Sequence, residues 1–192
     1  MAQVVDILFE DNDLVIVNKP RGLLVHDAPG HENEPTLVGW FQSRYPKSKA
    51  VGSVTRSGMV HRLDQDTSGV MVMAKTERAY LKLRAMFESH KEVVKTYLAV
   101  LKGKPKSKKG TITEPVEHRP AISHYEVLGF DNGKSLVEFI IETGRKHQIR
   151  EHAKFMGHPV ISLHAVELKF PHPITGKKLS FAAEPPREII YP

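Results

Sequence analysis

His61-Arg62-Leu63-Asp64-Gln65-Asp66-Thr67-Ser68-Gly69-Val70-Met71-Val72-Met73-Ala74 joins two contrasting kinds of sequence. Val70–Ala74 is a continuous apolar run, the mark of a strand covered on both faces. Just ahead of it, one histidine, one arginine and two carboxylates fall within residues 61–66. A rigid core strand can hold polar groups at its end in fixed geometry, which is what a chemical site requires. Composition alone also fits a plainer reading, a polar loop whose Asp, Thr and Ser side chains bond their own backbone.

Upstream of this stretch, Val4–Phe9 and Leu14–Asn18 are β-rich runs separated by Glu10-Asp11-Asn12-Asp13, which predicts a hairpin. Lys19-Pro20-Arg21-Gly22 breaks the strand. Leu23–His26 resumes extended structure and 30–35 is loop. Thr36 caps a helix reaching about Tyr45, and 47–57 is loop. Downstream, Glu77 to about His90 is helical, with Tyr80, Leu83 and Phe87 on one stripe. Thr96–Leu101 is a strand, and five lysines between Lys102 and Lys109 mark an exposed loop. Ser123–Phe130 and Ser135–Ile141 form a hairpin around Asp131-Asn132-Gly133. His147–Met156 is a helix with Ile149, Ala153 and Met156 inward and Gly157 as its stop. Leu163–Phe170 and Lys178–Ala182 form the last hairpin. Strands outnumber helices and most links are hairpins. The fold class expected is therefore α+β, a mixed, largely antiparallel sheet flanked by helices and loops, in a single domain over 1–192.

The 192 residues carry a formal charge of +6, with a pI near 9.4, which favours polyanionic partners. There is no cysteine, which excludes disulfides, Cys-ligated metals and thiol nucleophiles. The N-terminus, from Met1 to Phe9, lacks a signal-peptide layout. No apolar run approaches the ~20 residues of a membrane span. A soluble, cytoplasmic protein is expected.

A second cluster, Gly144-Arg145-Lys146-His147-Gln148-Ile149-Arg150, crowds basic groups at the start of a predicted helix. The helix dipole disfavours cations there by roughly 0.3–1 kcal/mol each. An anion opposite would relieve the misfit, either an RNA phosphate or a carboxylate such as Asp64. A helix that begins later would leave the same side chains merely solvated.

These motifs resemble those of RluA-type pseudouridine synthases. His61-Arg62-Leu63-Asp64-Gln65-Asp66-Thr67-Ser68-Gly69 is similar to the family signature His-Arg-Leu-Asp-x-x-Thr-Ser-Gly, and 144–150 with Gly157-His158-Pro159 to its later motif. Val17-Asn18-Lys19-Pro20, Gly22 and Val25-His26 resemble the family's N-terminal segment, and Leu163-His164-Ala165 its closing strand. The matches run in order from about Val5 to Pro186. The resemblance implies the pseudouridine synthase fold with a central RNA-binding cleft and no N-terminal S4 module. It also implies an isomerase that breaks the N-glycosidic bond of selected uridines, rotates the base and rejoins it through carbon 5.

Residue by residue, the resemblance makes Asp64 the essential aspartate and Arg150 the arginine that pairs with it. Tyr97 becomes the tyrosine packed against the target base, where stacking is worth ~1–3 kcal/mol. The target nucleotide must be flipped out, and Arg62 matches the position that fills the vacated space in some members. His61 is expected to hold the loop through a ring hydrogen bond. It is grouped with Arg62, Lys19, Arg145 and His147 as the candidate RNA-contacting set; the lysines of 102–109 are further phosphate candidates. Neither cofactor nor metal is implied. The partner is structured RNA, ribosomal or transfer, met by a monomer.

The chain is shorter than the resemblance suggests at Pro120–Ala121 and between Val160 and Leu163, where mobile RNA-contacting loops, absent from this sequence, are expected. The competing readings are a non-catalytic RNA-binding protein on the same fold, a metal-dependent hydrolase using His61, Asp64 and Asp66, and a retaining glycosidase built on Asp64 and Asp66. The second is disfavoured because Arg62 beside His61 would oppose a cation. The third is disfavoured because its carboxylates normally come from separate strands.

Overall fold

A computed structural model describes residues 4–31 and 34–190. Residues 1–3 of the N-terminal segment and residues 32 and 33 of the expected 30–35 loop lie outside the described residues. The chain forms two compact units. One comprises Met1–Val93 and Leu168–Ala183, the other Val94–Glu167 and Glu184–Pro192.

In the first unit, β1 (Asp6–Glu10), β2 (Leu14–Lys19) and β3 (Thr67–Ala74) are neighbours in an antiparallel sheet. The β2–β3 register runs from Leu14 opposite Ala74 to Lys19 opposite Gly69. Every residue of β3 is buried, as the unbroken apolar run Val70–Ala74 requires of that part of the strand. Helix α1 (Leu37–Arg44) is capped by the Thr36 hydroxyl, which accepts from Gly39 N, and α2 (Glu77–Ser89) by Thr76, which accepts from Ala79 N. Ala79, Leu83 and Phe87 of α2 pack with Ile16, Val70 and Val72, and with Leu168 and Phe170 of β8 (Val160–Pro171). Each such large side chain contributes roughly 1.5–3 kcal/mol on burial. The span 47–57, expected as loop, contains two 3₁₀ turns, at Pro46–Ser48 and Val54–Arg56.

Two turns of this unit are fastened by a histidine. His172 Nδ1 accepts from the backbone N–H groups of Ile174 and Thr175, both at 3.1 Å, so its proton sits on Nε2 and is donated to Asp11 Oδ2 at 2.8 Å. Asp11 Oδ1 accepts from Asp13 N and Leu14 N, and Asp13 accepts from the Thr76 hydroxyl. The ligand types of Asp11, Asp13 and His172 would suit a cation. Their atoms are instead committed to this network, and Lys75 donates to the Asp11 carbonyl beside it.

In the second unit, β4 (Val94–Lys102), β7 (Lys134–Ile141), β6 (Ser123–Asp131) and β5 (Lys109–Ile112) are successive antiparallel neighbours. The β6–β7 turn places Asn132 and Gly133 at φ 48° and 74°, the left-handed pair that a two-residue hairpin needs. The last residues of the lysine-rich run become β5, a short edge strand whose polar sequence hides it from periodicity. Helix α3 (Gln148–Phe155) buries Gln148, Ile149, His152 and Ala153. Met156, expected inward, is half-buried because the helix turns Gln148 and His152 to the interior instead. A short α4 (Arg187–Ile190) carries the fully buried Ile189.

Strand β8 starts at Val160 and passes through the place where a longer loop was expected. Ala121, directly after Pro120, is buried. Strand β9 (Lys178–Ala182) pairs with β8. The architecture is α+β with a mostly antiparallel sheet. No helix of the described residues is long and apolar enough to cross a membrane.

Candidate active site

The loop before β3 is fixed from beneath by Lys19. That side chain is fully buried, and its ammonium donates to the carbonyls of Pro20 (3.0 Å), Leu23 (2.7 Å) and Gln65 (3.2 Å). Burial pushes its pKa down, to about 8, against the opposing attraction of Asp64 and Asp66. Expected as a phosphate contact, Lys19 is thus turned inward. Two of its donors are spent on its own turn, at Pro20 and Leu23, one reaches across to the loop at Gln65, and the side chain is closed off from solvent. Two further bonds close the same joint, Gly22 N to Gln65 O at 2.8 Å and Gln65 Nε2 to Gly22 O at 3.2 Å.

Within the loop, Thr67 N donates to Asp64 O at 3.0 Å, a tight turn with Gln65 and Asp66 at its tip. Asp64 is half-buried, while Asp66 and Arg62 are exposed. His61 accepts from Val72 N at Nε2 (3.1 Å), and its ring stacks on Phe87 with centroids 4.4 Å apart. A nitrogen so occupied is a tether of loop to strand. Thr67, 2% exposed, keeps a hydroxyl with no hydrogen-bond partner. Half-buried His26 has its pKa lowered by burial and then by the charges of Arg62 and Arg56. The charges of Arg62 and Arg56 are thus felt at His26, against that of Asp27.

In the second unit, Tyr97 lies on β4 opposite Phe139 and is 9% exposed. The basic segment precedes α3 as its sequence implied. Exposed His147 takes the N-cap position at φ 56° with no side-chain cap, and Arg150 is half-buried in the first turn. Gln148 fixes the segment. Its Oε1 accepts from Arg145 N and the Thr143 hydroxyl, and its Nε2 donates to Ile122 O and Ser123 Oγ. His152 bonds Ser123 Oγ and Glu114 O from the next turn. Sequence reading missed both anchors, whose partners Ile122, Ser123 and Glu114 lie far away in the chain. Arg145 is half-buried, with Nε on Pro120 O at 3.0 Å.

Residues 13–155 match the family model described as RNA pseudouridylate synthase. The chain belongs to that family. Pseudouridine synthases are RNA uridine isomerases, and the matched segment contains Asp64, Tyr97 and Arg150. Among relatives, an uncharacterised RNA pseudouridine synthase of Synechocystis is 37% identical over 94% of this chain and 65% of its own length. The ribosomal large subunit pseudouridine synthase D of Zymomonas mobilis is 33% identical over 96% of this chain and 70% of its own. The chain thus spans about two thirds of the length of these relatives. The two alignments run over 216 and 224 positions against a chain of 192 residues, so the relatives carry insertions relative to it. The human RNA pseudouridylate synthase domain containing 4 shares the fold, with a TM-score of 0.76 at 22% identity over 96% of this chain and 90% of the other.

Proposed function

We propose that this pseudouridine synthase chain isomerises uridines of large-subunit ribosomal RNA, with Asp64, Tyr97 and Arg150 acting on the same nucleotide. The observation that carries the reading is the setting of Asp64. A half-buried carboxylate, which the motif resemblance makes the family's aspartate, sits on a turn locked to a core strand, near a buried ammonium that holds the turn. The turn fixes the backbone of Asp64, and in-line chemistry at a sugar carbon requires its reacting group to be placed by such a support. The bond between ribose C1′ and uracil N1 breaks, and C5 takes its place on C1′. The proton leaves C5 and one is gained at N1, so the sum is an isomerisation.

Tyr97 supplies a stacking face for the extruded base, and the resemblance gives the guanidinium of Arg150 the part of cationic partner to the aspartate. Arg62, Arg145 and His147 contact RNA, while His61 and Lys19 hold the loop. The chemistry uses no metal or cofactor, because the detached base is itself the next nucleophile, and the protein works as a cytoplasmic monomer. Ribosomal RNA is favoured over transfer RNA by the Zymomonas relative's name. Mapping pseudouridines in total RNA with and without the gene tests this. At least one large-subunit site should vanish on deletion and return with the wild-type gene but not with Asp64→Asn. An unchanged map would refute the proposal.

A further inference from the structure

Two lysines of this chain are deeply buried, and the fold treats them differently. Lys19 has three carbonyls and two nearby carboxylates. Lys95, on β4, is 7% exposed, and among the described residues its ammonium has one hydrogen bond, to Thr143 O at 3.3 Å. An ammonium carries three donors, so Lys95 is under-satisfied where Lys19 is not. No carboxylate among the described residues offsets its charge. Burial first, and then the guanidinium of Arg145, push its pKa down, to about 8.

Arg145 shares the imbalance. Its Nε is used on Pro120 O, and no carboxylate among the described residues pairs with it. Between the two cations runs the backbone of Gly144, where an added Cβ would stand 3.6 Å from Lys95 Nζ. The turn leads directly into α3, whose N-terminal end carries positive dipole charge and no side-chain cap. Glu151 is the acidic residue in the first turn of α3, but neither Lys95 nor Arg145 has an ion pair with a carboxylate among the described residues. These two cations and the dipole of the same sign therefore repel one another unless an anion is supplied from outside.

We infer that Lys95, Arg145 and the Gly144 turn form a subsite for one phosphodiester of the RNA substrate. This rests on the reading of the chain as an RNA-modifying enzyme and adds a residue to it. The opposing view is that Lys95 merely ties β4 to Thr143. The two differ on stability. A structural tie weakens the fold when removed, whereas removing an under-satisfied buried charge leaves it as stable or more so.

The test is Lys95→Met in the whole chain, measured against large-subunit ribosomal RNA. Affinity should fall roughly tenfold. The slope of log affinity against log salt should become shallower by about 0.7–0.9, one phosphate's share, and Tm should hold or rise. A lower Tm with unchanged affinity and slope would overturn the subsite. A second measurement needs no variant. With lysine side chains isotope-labelled in the wild-type protein, two NMR signals should titrate with depressed midpoints, and RNA should raise one of them. No movement of either on RNA binding would also overturn the subsite. Movement with inorganic phosphate alone would mark a free-phosphate site and remove RNA from the proposal. If Asp64→Asn abolishes conversion while Lys95→Met binds RNA like wild type, this inference fails by itself. If the wild-type protein converts no RNA, the functional reading beneath it fails.

Discussion

Lys19 and Lys95 each carry a charge inward, and pH reads both. Each has a folded pKa of about 8, below the ~10.4 of an unfolded chain. Between those values the unfolded chain binds the additional protons, so raising pH favours the folded state. The urea midpoint should therefore rise from about pH 8 toward about pH 10, and less steeply in Lys95→Met. A midpoint that falls throughout would contradict the burial of both charges. Lys19→Met strands three carbonyls and should cost about 1–3 kcal/mol, with loss of conversion because the turn carrying Asp64 loses its anchor. Thr67→Val removes a buried hydroxyl that has no partner. Its unfolding free energy should be unchanged or up by about 1 kcal/mol, and a clear loss would mean that the hydroxyl is satisfied in solution. At this scale the motif residues were legible because each stands within a short quoted run. The inward turn of Lys19 was not, since the local sequence does not reveal that the carbonyls of Pro20, Leu23 and the distant Gln65 will close around its ammonium.

Elements were easier to read than their fastenings. Thr36 announces its helix as a cap, Asn132-Gly133 announces a hairpin, and Val70–Ala74 a buried strand, while the Thr76 cap of α2 came from the structure. Strand β5 is four residues of Lys-Gly-Thr-Ile at a sheet edge and has no periodic signal. Gln148 and His152 fasten α3 through Ser123, Ile122, Thr143 and Glu114, contacts that only the folded chain creates. Gln148→Leu should therefore cost about 2–4 kcal/mol in urea unfolding, and misplace Arg145 and Arg150. A loss under about 0.5 kcal/mol would show that the helix holds its place without these bonds. Between β5 and β6, Val116 and Arg119 exchange backbone hydrogen bonds around Glu117 and His118, at φ 50° and 60°. Neither residue suits the left-handed region, which costs roughly 1–2 kcal/mol per residue. Replacing the pair by Asn-Gly should raise Tm by several degrees, and a fall would show that the side chains are needed for the fold.

Across the molecule, the order of the motifs from Lys19 to Leu163 was legible, and the family model matches residues 13–155, the part of that order from Lys19 through Arg150. The RNA partner is consistent with a formal charge of +6. Binding should weaken with salt along a log–log slope of about −2 or steeper, and a flat response would exclude phosphate contacts as the source of affinity. Which uridine is chosen was not legible, because structured RNA is recognised through shape and splayed bases more than through a linear code. The reaction itself is tested most directly by tritium release from ribosomal RNA labelled at uridine C5. Wild-type protein should release one tritium for each pseudouridine formed, and Asp64→Asn should release none while still binding the RNA. Release by Asp64→Asn at the wild-type rate would contradict the assignment of this carboxylate.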